Sequence, residues 1–239
     1  MVEDDPIAIV GMAVRLPGGV MNTDDFWDLM VNKKSGLIPI PKERWNIDGS
    51  WSAEPQWGTI QNRDCYMLDS QVQLNKFDTS FFTCGKLESD RMDPMQRQLL
   101  EITRECLDSA GESKTCGEDI GCYVGTFSSD WQDDQSMDPH ASGIYRGSGY
   151  LDFFQPNRIS YEYGWTGPSL LIKTGCSSSM VALHLAAEAV KNNSCSSAMA
   201  LGCNIMTSVL TSIVFTETGV LSPSGKCKTF DSLADGYGR

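Results

Sequence analysis

The stretch from Ser169 to Val190 constrains the fold more than any other. Ser169-Leu170-Leu171-Ile172 is a short apolar run that reads as a buried strand. A polar turn follows, Lys173-Thr174-Gly175-Cys176, and then Met180 to Val190 is apolar almost all round. Such a helix is expected to be buried on most sides. A strand, a sharp turn and a buried helix in that order form one half of an α/β unit. Ile120 to Gly125 and Ala198 to Leu201 read as two further strands. Strands alternating with helices imply an α/β fold with a largely parallel sheet.

Elsewhere the punctuation is uneven. Ile7-Ala8-Ile9-Val10, followed by Gly11, reads as another buried strand. Thr23-Asp24-Asp25 predicts a helix start, with Phe26, Leu29 and Met30 on one face and Gly36 as its end. Asp93 predicts a cap, Pro94 a first turn and Gly111 a stop for a helix striped by Leu99, Ile102, Cys106, Leu107 and Ala110. Pro39 to Gln73 is rich in Pro, Gly, Trp and Asn and reads as a long surface excursion. Thr126 to Gly149 reads as a polar loop region. With no internal repeat and no linker, residues 1–239 read as one domain.

Composition narrows the function. A net charge of -12 disfavours a nucleic-acid partner. Nine cysteines without a C-x-x-C pair, and only two histidines, His140 and His184, argue against a metal site. Scattered thiols read as reduced, mostly buried side chains. The acidic start, Met1 to Pro6, predicts no signal peptide, and no apolar run reaches the roughly 18 residues of a membrane span. The expected compartment is therefore the cytoplasm, with no membrane partner. Asn192-Asn193-Ser194 fits a glycosylation sequon, read as coincidence without a secretory signal.

Cys176 is the residue with chemistry to offer. A turn between strand and helix places it at a helix N-terminus, where unpaired N–H groups and the helix dipole favour a thiolate. Gly175 permits a strained turn, and Ser177, Ser178 and Ser179 can satisfy the first-turn N–H groups. Position alone leaves Cys176 open between a nucleophile and an inert core thiol. His184 lies eight residues on along the same helix, roughly 12 Å away at about 1.5 Å per residue. That is too far for proton transfer, so His184 reads as a buried structural residue. Nothing in the sequence aims His140 at Cys176.

The blocks around this cysteine resemble those of a known family. Thr174-Gly175-Cys176-Ser177-Ser178-Ser179-Met180-Val181-Ala182-Leu183-His184 looks like the nucleophile signature of the ketosynthase (β-ketoacyl synthase) domains of type I polyketide synthases. Asp5-Pro6-Ile7-Ala8-Ile9-Val10-Gly11-Met12 with Pro17-Gly18-Gly19 resembles the family's opening. Pro41 to Asn46, Phe77-Asp78 through Phe81-Phe82, and Met92-Asp93-Pro94-Met95-Gln96-Arg97 match further blocks in family order. So do Asn157-Arg158-Ile159-Ser160, Gly167-Pro168-Ser169, Leu221-Ser222-Pro223, Cys227 to Asp231, and Asp235 to Arg239. Lys173 stands where most relatives carry Asp. Together with Asp152-Phe153-Phe154 and Ser160-Tyr161-Glu162-Tyr163, it is similar to the fungal highly reducing type. Gln155-Pro156 and Gly164-Trp165 depart from the usual pattern and bear on local packing.

The resemblance implies a thiolase-like α/β fold, of which residues 1–239 would form the N-terminal half, with Cys176 on its buried nucleophile helix. It implies that Cys176 accepts an acyl chain as a thioester for decarboxylative condensation with a malonyl-type extender. It also implies phosphopantetheine-linked substrates on an acyl carrier protein, other polyketide synthase domains as partners, a homodimer through Gly167 to Lys173, and no directly bound cofactor or metal. The family supplies two assisting histidines from motifs that follow Arg239. The alternative is a truncated, catalytically incompetent fragment or pseudoenzyme.

Overall fold

The structure, a computed structural model, describes residues 6–69, 72–137, 140 and 143–239. The acidic start therefore lies largely outside the described residues. So do parts of the two segments read as an excursion and a loop. The chain divides into two compact units, Met1–Ala13 with Gln73–Ile205, and Val14–Val72 with Met206–Arg239.

The second unit begins with helix α1 (Thr23–Val31) and a two-stranded antiparallel sheet, β1 (Ile38–Pro39) with β2 (Asp64–Cys65), in the register Ile38↔Cys65. The side chain of Asn22, rather than Thr23, caps α1 by accepting from Asp25 N–H at 2.8 Å. Asn32, not Gly36, ends it. Either polar residue at the start could cap, so sequence placed the helix but not its cap. Pro39 to Gln73 is no surface excursion. Ile40, Trp45, Ile47, Ile60, Cys65 and Met67 bury together with Met206, forming a core of their own. Arg44 donates to the Met206 carbonyl at 2.6 Å, and the Arg63 guanidinium lies 4.1 Å from the centre of the Trp51 ring. The apolar residues there follow no helical or strand period, which hid them from pattern reading.

The first unit holds the short helix α2 (Lys86–Ser89), the long helix α3 (Pro94–Ala110) and a three-stranded parallel sheet. The strands are β3 (Ile120–Thr126), β4 (Ser169–Ile172) and β5 (Ser197–Cys203), in spatial order β4-β3-β5. α3 begins and ends as its punctuation predicts. The Asp93 carboxylate accepts from Met95 N–H at 2.8 Å, and Gly111 takes φ 77. Its first two turns, however, are buried on every side, Gln96, Arg97 and Gln98 included. Polar groups hold that burial. Arg97 donates to the carbonyls of Ser89 at 2.8 Å and Leu74 at 2.7 Å, and Gln96 accepts from Arg158 at 2.8 Å.

Between β3 and β4 lie α4 (Asp130–Ser136), α5 (Arg146–Tyr150) and α6 (Phe154–Tyr163). Two short helices thus occupy a stretch that reads as loop. Both are too polar and too short to show a period. Helix α7 (Ser178–Lys191) links β4 to β5, and α8 (Leu210–Glu217) belongs to the second unit. Strand alternation sorts the two faces of the sheet. Cys122, Val124 and Leu201 pack with α3 and α6 residues Leu99, Leu100, Leu107 and Ile159. Tyr123, Ala198 and Ala200 face α7 through Ala182, Ala186 and Ala189.

Two buried elements expected from sequence are open. Residues 7–10 form no strand among the described residues, and Ile9 and Val10 are 72% and 71% exposed. An apolar run becomes a buried strand only where neighbours complete its ladder, and none pairs with it here. Helix α7 is likewise buried on one face only. Ala182, Ala186 and Ala189 meet the sheet, whereas Met180, Leu183 and Leu185 are exposed. A helix apolar all round is consistent with two covered faces, and one is covered here. No helix among the described residues is long and apolar enough to cross a membrane.

Candidate active site

Cys176 sits at the carboxyl end of β4, the end of a parallel sheet where open α/β folds place their ligands. Lys173 leaves the strand, Gly175 turns with φ 73, and Ser177 is the N-cap of α7. A side chain other than glycine is disfavoured at that left-handed φ. Cys176 thus lies one residue before the N-cap, and its thiol is exposed.

The serines do something other than cap the helix. Ser178 Oγ accepts from Thr174 N–H at 2.9 Å and donates to the Gly175 carbonyl at 2.7 Å. Ser177 Oγ donates to the Thr174 carbonyl at 2.9 Å. Both hydroxyls lace the turn together across Cys176. No side chain caps α7, which leaves its N-terminal dipole facing the cysteine.

The strand end is held from the other side. Lys173 Nζ donates to Ser129 Oγ at 2.7 Å and to Asp152 Oδ2 at 2.8 Å. Three separate chain segments therefore meet beside the turn. The sequence marks Lys173 as a departure from the commoner family pattern and as the end of the expected dimer strand, not as an anchor of the turn. Its partners lie 44 and 21 residues away, and no local signal names them. Asp93 stands deeper. Burial pushes its carboxyl up to about 7 despite the Met95 N–H and the Arg97 charge, with Asp130 and Asp152 adding to the rise.

The cysteines divide by environment. Burial pushes Cys65 and Cys84 up to about 11 and Cys122 up to about 12. It also raises Cys106, Cys195 and Cys203. Those six thiols are held in their unreactive form. Cys116, Cys176 and Cys227 are the exposed three, and of these Cys176 alone abuts a helix N-terminus in the strand-turn-helix unit.

Both histidines are exposed. His184 is exposed, not buried, because the alanine face of α7 meets the sheet and turns residues 183–185 outward. His140 is exposed on the segment after α4.

Residues 4–239 match the family profile described as "Beta-ketoacyl synthase, N-terminal domain". The chain is 48% identical over 237 residues to the highly reducing polyketide synthase g433 of Fusarium sp, covering 99% of this chain and 9% of the relative. It is 47% identical over 235 residues to gloL of Glarea lozoyensis, covering 98% and 9%. The chain thus spans about a tenth of the length of these curated relatives. Among solved structures, the oxazolomycin ketosynthase domain OzmH KS7 of Streptomyces albus JA3453 superposes with TM-score 0.85 at 27% identity, over 96% of this chain and 40% of that one. The ketosynthase from module 6 of the bacillaene synthase of Bacillus subtilis 168 gives 0.82 at 28% identity, over 96% and 37%. The mixed α/β architecture and its parallel sheet are those of the thiolase-like fold. Motif order, fold and relatives converge: the chain belongs to the β-ketoacyl synthase family, a family of acyltransferases, as its N-terminal domain, and is similar to the ketosynthases of fungal highly reducing polyketide synthases.

Proposed function

We propose that Cys176 is the acyl-accepting nucleophile of a polyketide-building ketosynthase. The observation that carries this reading is the exposed thiol on a left-handed turn before the uncapped N-terminus of α7. In the first half-reaction the Cys176 thiolate attacks the carbonyl carbon of an acyl group borne on the phosphopantetheine of an acyl carrier protein. The new carbon–sulfur bond forms, the old one breaks, and the carrier thiol leaves with the proton. The uncapped N-terminus of α7 leaves backbone N–H groups unpaired beside Cys176.

In the second half-reaction a malonyl-type thioester loses carbon dioxide. The electron pair of the broken bond forms an enolate, whose carbon attacks the acyl-cysteine and expels the thiolate. The resemblance assigns that step to two histidines in motifs to which neither His140 nor His184 belongs. Residues 1–239 are read as one N-terminal domain of a ketosynthase, supported by a single N-terminal-domain profile that matches residues 4–239 across both compact units. The exposed edge of β4, with Leu170 47% exposed, supports pairing with a second copy. Nine free thiols suit a reducing, cytoplasmic setting.

The test is to incubate the chain with a short acyl thioester and map the adduct by peptide mass spectrometry. Acylation is expected at Cys176 ahead of Cys116 and Cys227, and Cys176→Ala is expected to abolish it. Equal labelling of the three exposed thiols would falsify the assignment.

A further inference from the structure

Two glycines occupy one level of the sheet beneath the cysteine turn. Gly125 of β3 and Gly202 of β5 are register partners in the parallel ladder. Strand alternation puts both on the face that carries α7, in line with Tyr123 and with Ala198 and Ala200. At that level the face carries glycine on β3 and β5, with Ile172 of β4 as the neighbouring register partner of Gly125.

Backbone conformation does not call for glycine at either position, since neither has a positive φ. Close approach does. A Cβ on Gly125 would lie 2.5 Å from the carbonyl carbon and oxygen of Ser178 and from Ser179 N. A Cβ on Gly202 would lie 2.7 Å from Ser179 Cβ. Those atoms belong to the first turn of α7. A strand glycine weakens its strand, so two in register mark a place where a packed neighbour must come near.

We propose that Gly125 and Gly202, two adjacent positions without side chains beside Ile172, set the height of the first α7 turn, and that both are positioning residues for Cys176. This rests on the reading of Cys176 as the nucleophile. One methyl group at either position would lift the turn by about 1 Å, the gap between these separations and ordinary carbon contact. That moves Cys176 and the helix N–H groups relative to the strand end pinned by Lys173.

The two contacts differ in a way that makes the idea testable. The Gly202 contact is with a side chain, so deleting that side chain relieves it. The Gly125 contact is with backbone, and no substitution at Ser179 relieves it. Alkylation rates of Cys176 are measured relative to Cys227 in the same molecule, with protection of the buried Cys122 reporting the fold. Gly202→Ala is expected to lower the relative rate of Cys176 roughly tenfold or more, as misplacement by about 1 Å allows. Adding Ser179→Gly is expected to return it to the value of Ser179→Gly alone. Gly125→Ala is expected to lower the rate similarly, with no rescue.

An unchanged rate in Gly202→Ala overturns the proposal, as does rescue of Gly125→Ala by Ser179→Gly. So does a Gly202→Ala chain that exposes Cys122 and is not restored by Ser179→Gly. Failure of the nucleophile reading shows separately. It would leave this alkylation pattern intact while acyl loading of Cys176 never occurred.

Discussion

Replacing Asp93 by Asn separates two roles that one carboxylate plays in α3. As an N-cap it accepts from Met95 N–H, and asparagine caps about as well. As a buried charge it weakens the fold, because burial raises it from 3.8 to about 7. The displacement of roughly three pH units corresponds to about 4 kcal/mol at most, at 1.36 kcal/mol per unit. The attraction of Arg97 is already included, since it pulls the carboxyl down against burial. The sign follows from proton binding. Between about pH 4 and pH 7 the folded state keeps a proton that the unfolded state has released, so stability falls as pH rises. Below about pH 4 both states are protonated and the penalty vanishes. Asp93→Asn is therefore expected to stabilise the chain by about 2–4 kcal/mol at pH 8 relative to its effect at pH 4. Urea denaturation of both chains at the two pH values gives this double difference, in which any pH-independent effect of the amide cancels. A difference that stays constant between the two pH values would refute the burial argument.

Two further expectations concern the strand that delivers the cysteine. Lys173→Met keeps the aliphatic stem but loses the bonds to Ser129 and Asp152. Because the pair is partly exposed, stability should fall by no more than about 1 kcal/mol, while acyl loading of Cys176 slows roughly tenfold through misplacement of the turn; loading that tracks stability alone would contradict it. The free edge of β4 predicts an isologous, antiparallel dimer about a two-fold axis. Analytical ultracentrifugation at micromolar concentration should show that dimer, and Leu170→Lys should shift it to monomer; a wild-type chain that sediments as a monomer rules it out.

What the sequence made legible is what local chemistry specifies. Asp93, Pro94 and Gly111 bracket α3 because capping and breaking act within a turn or two of where they are written. The runs at Ile120 and Ser169 became parallel strands because each has a neighbour to complete its ladder. Ile7 to Val10 has the same composition and no such neighbour, so composition alone misjudged it. The core around Trp45 and Met206 was invisible for a related reason: Met206 joins the others across 139 or more residues of chain, and the members share no period.

The candidate site divides along the same line. Cys176, Gly175 and the helix that follows are one contiguous message, read from a strand, a turn and an apolar run. What fixes their geometry is written elsewhere. Lys173 needs Asp152 and Ser129, and the first turn of α7 needs glycines from two strands that precede and follow it. A strand glycine viewed locally looks like a weak strand residue, and a lysine before a turn looks like a solvated charge. Only the register Gly125↔Gly202 beneath Ser178 and Ser179 gives the glycines a purpose. The proposed nucleophile is therefore specified by sequence, whereas its proposed height above the sheet is specified by topology. A substitution two strands away can accordingly silence Cys176 without touching the motif that names it.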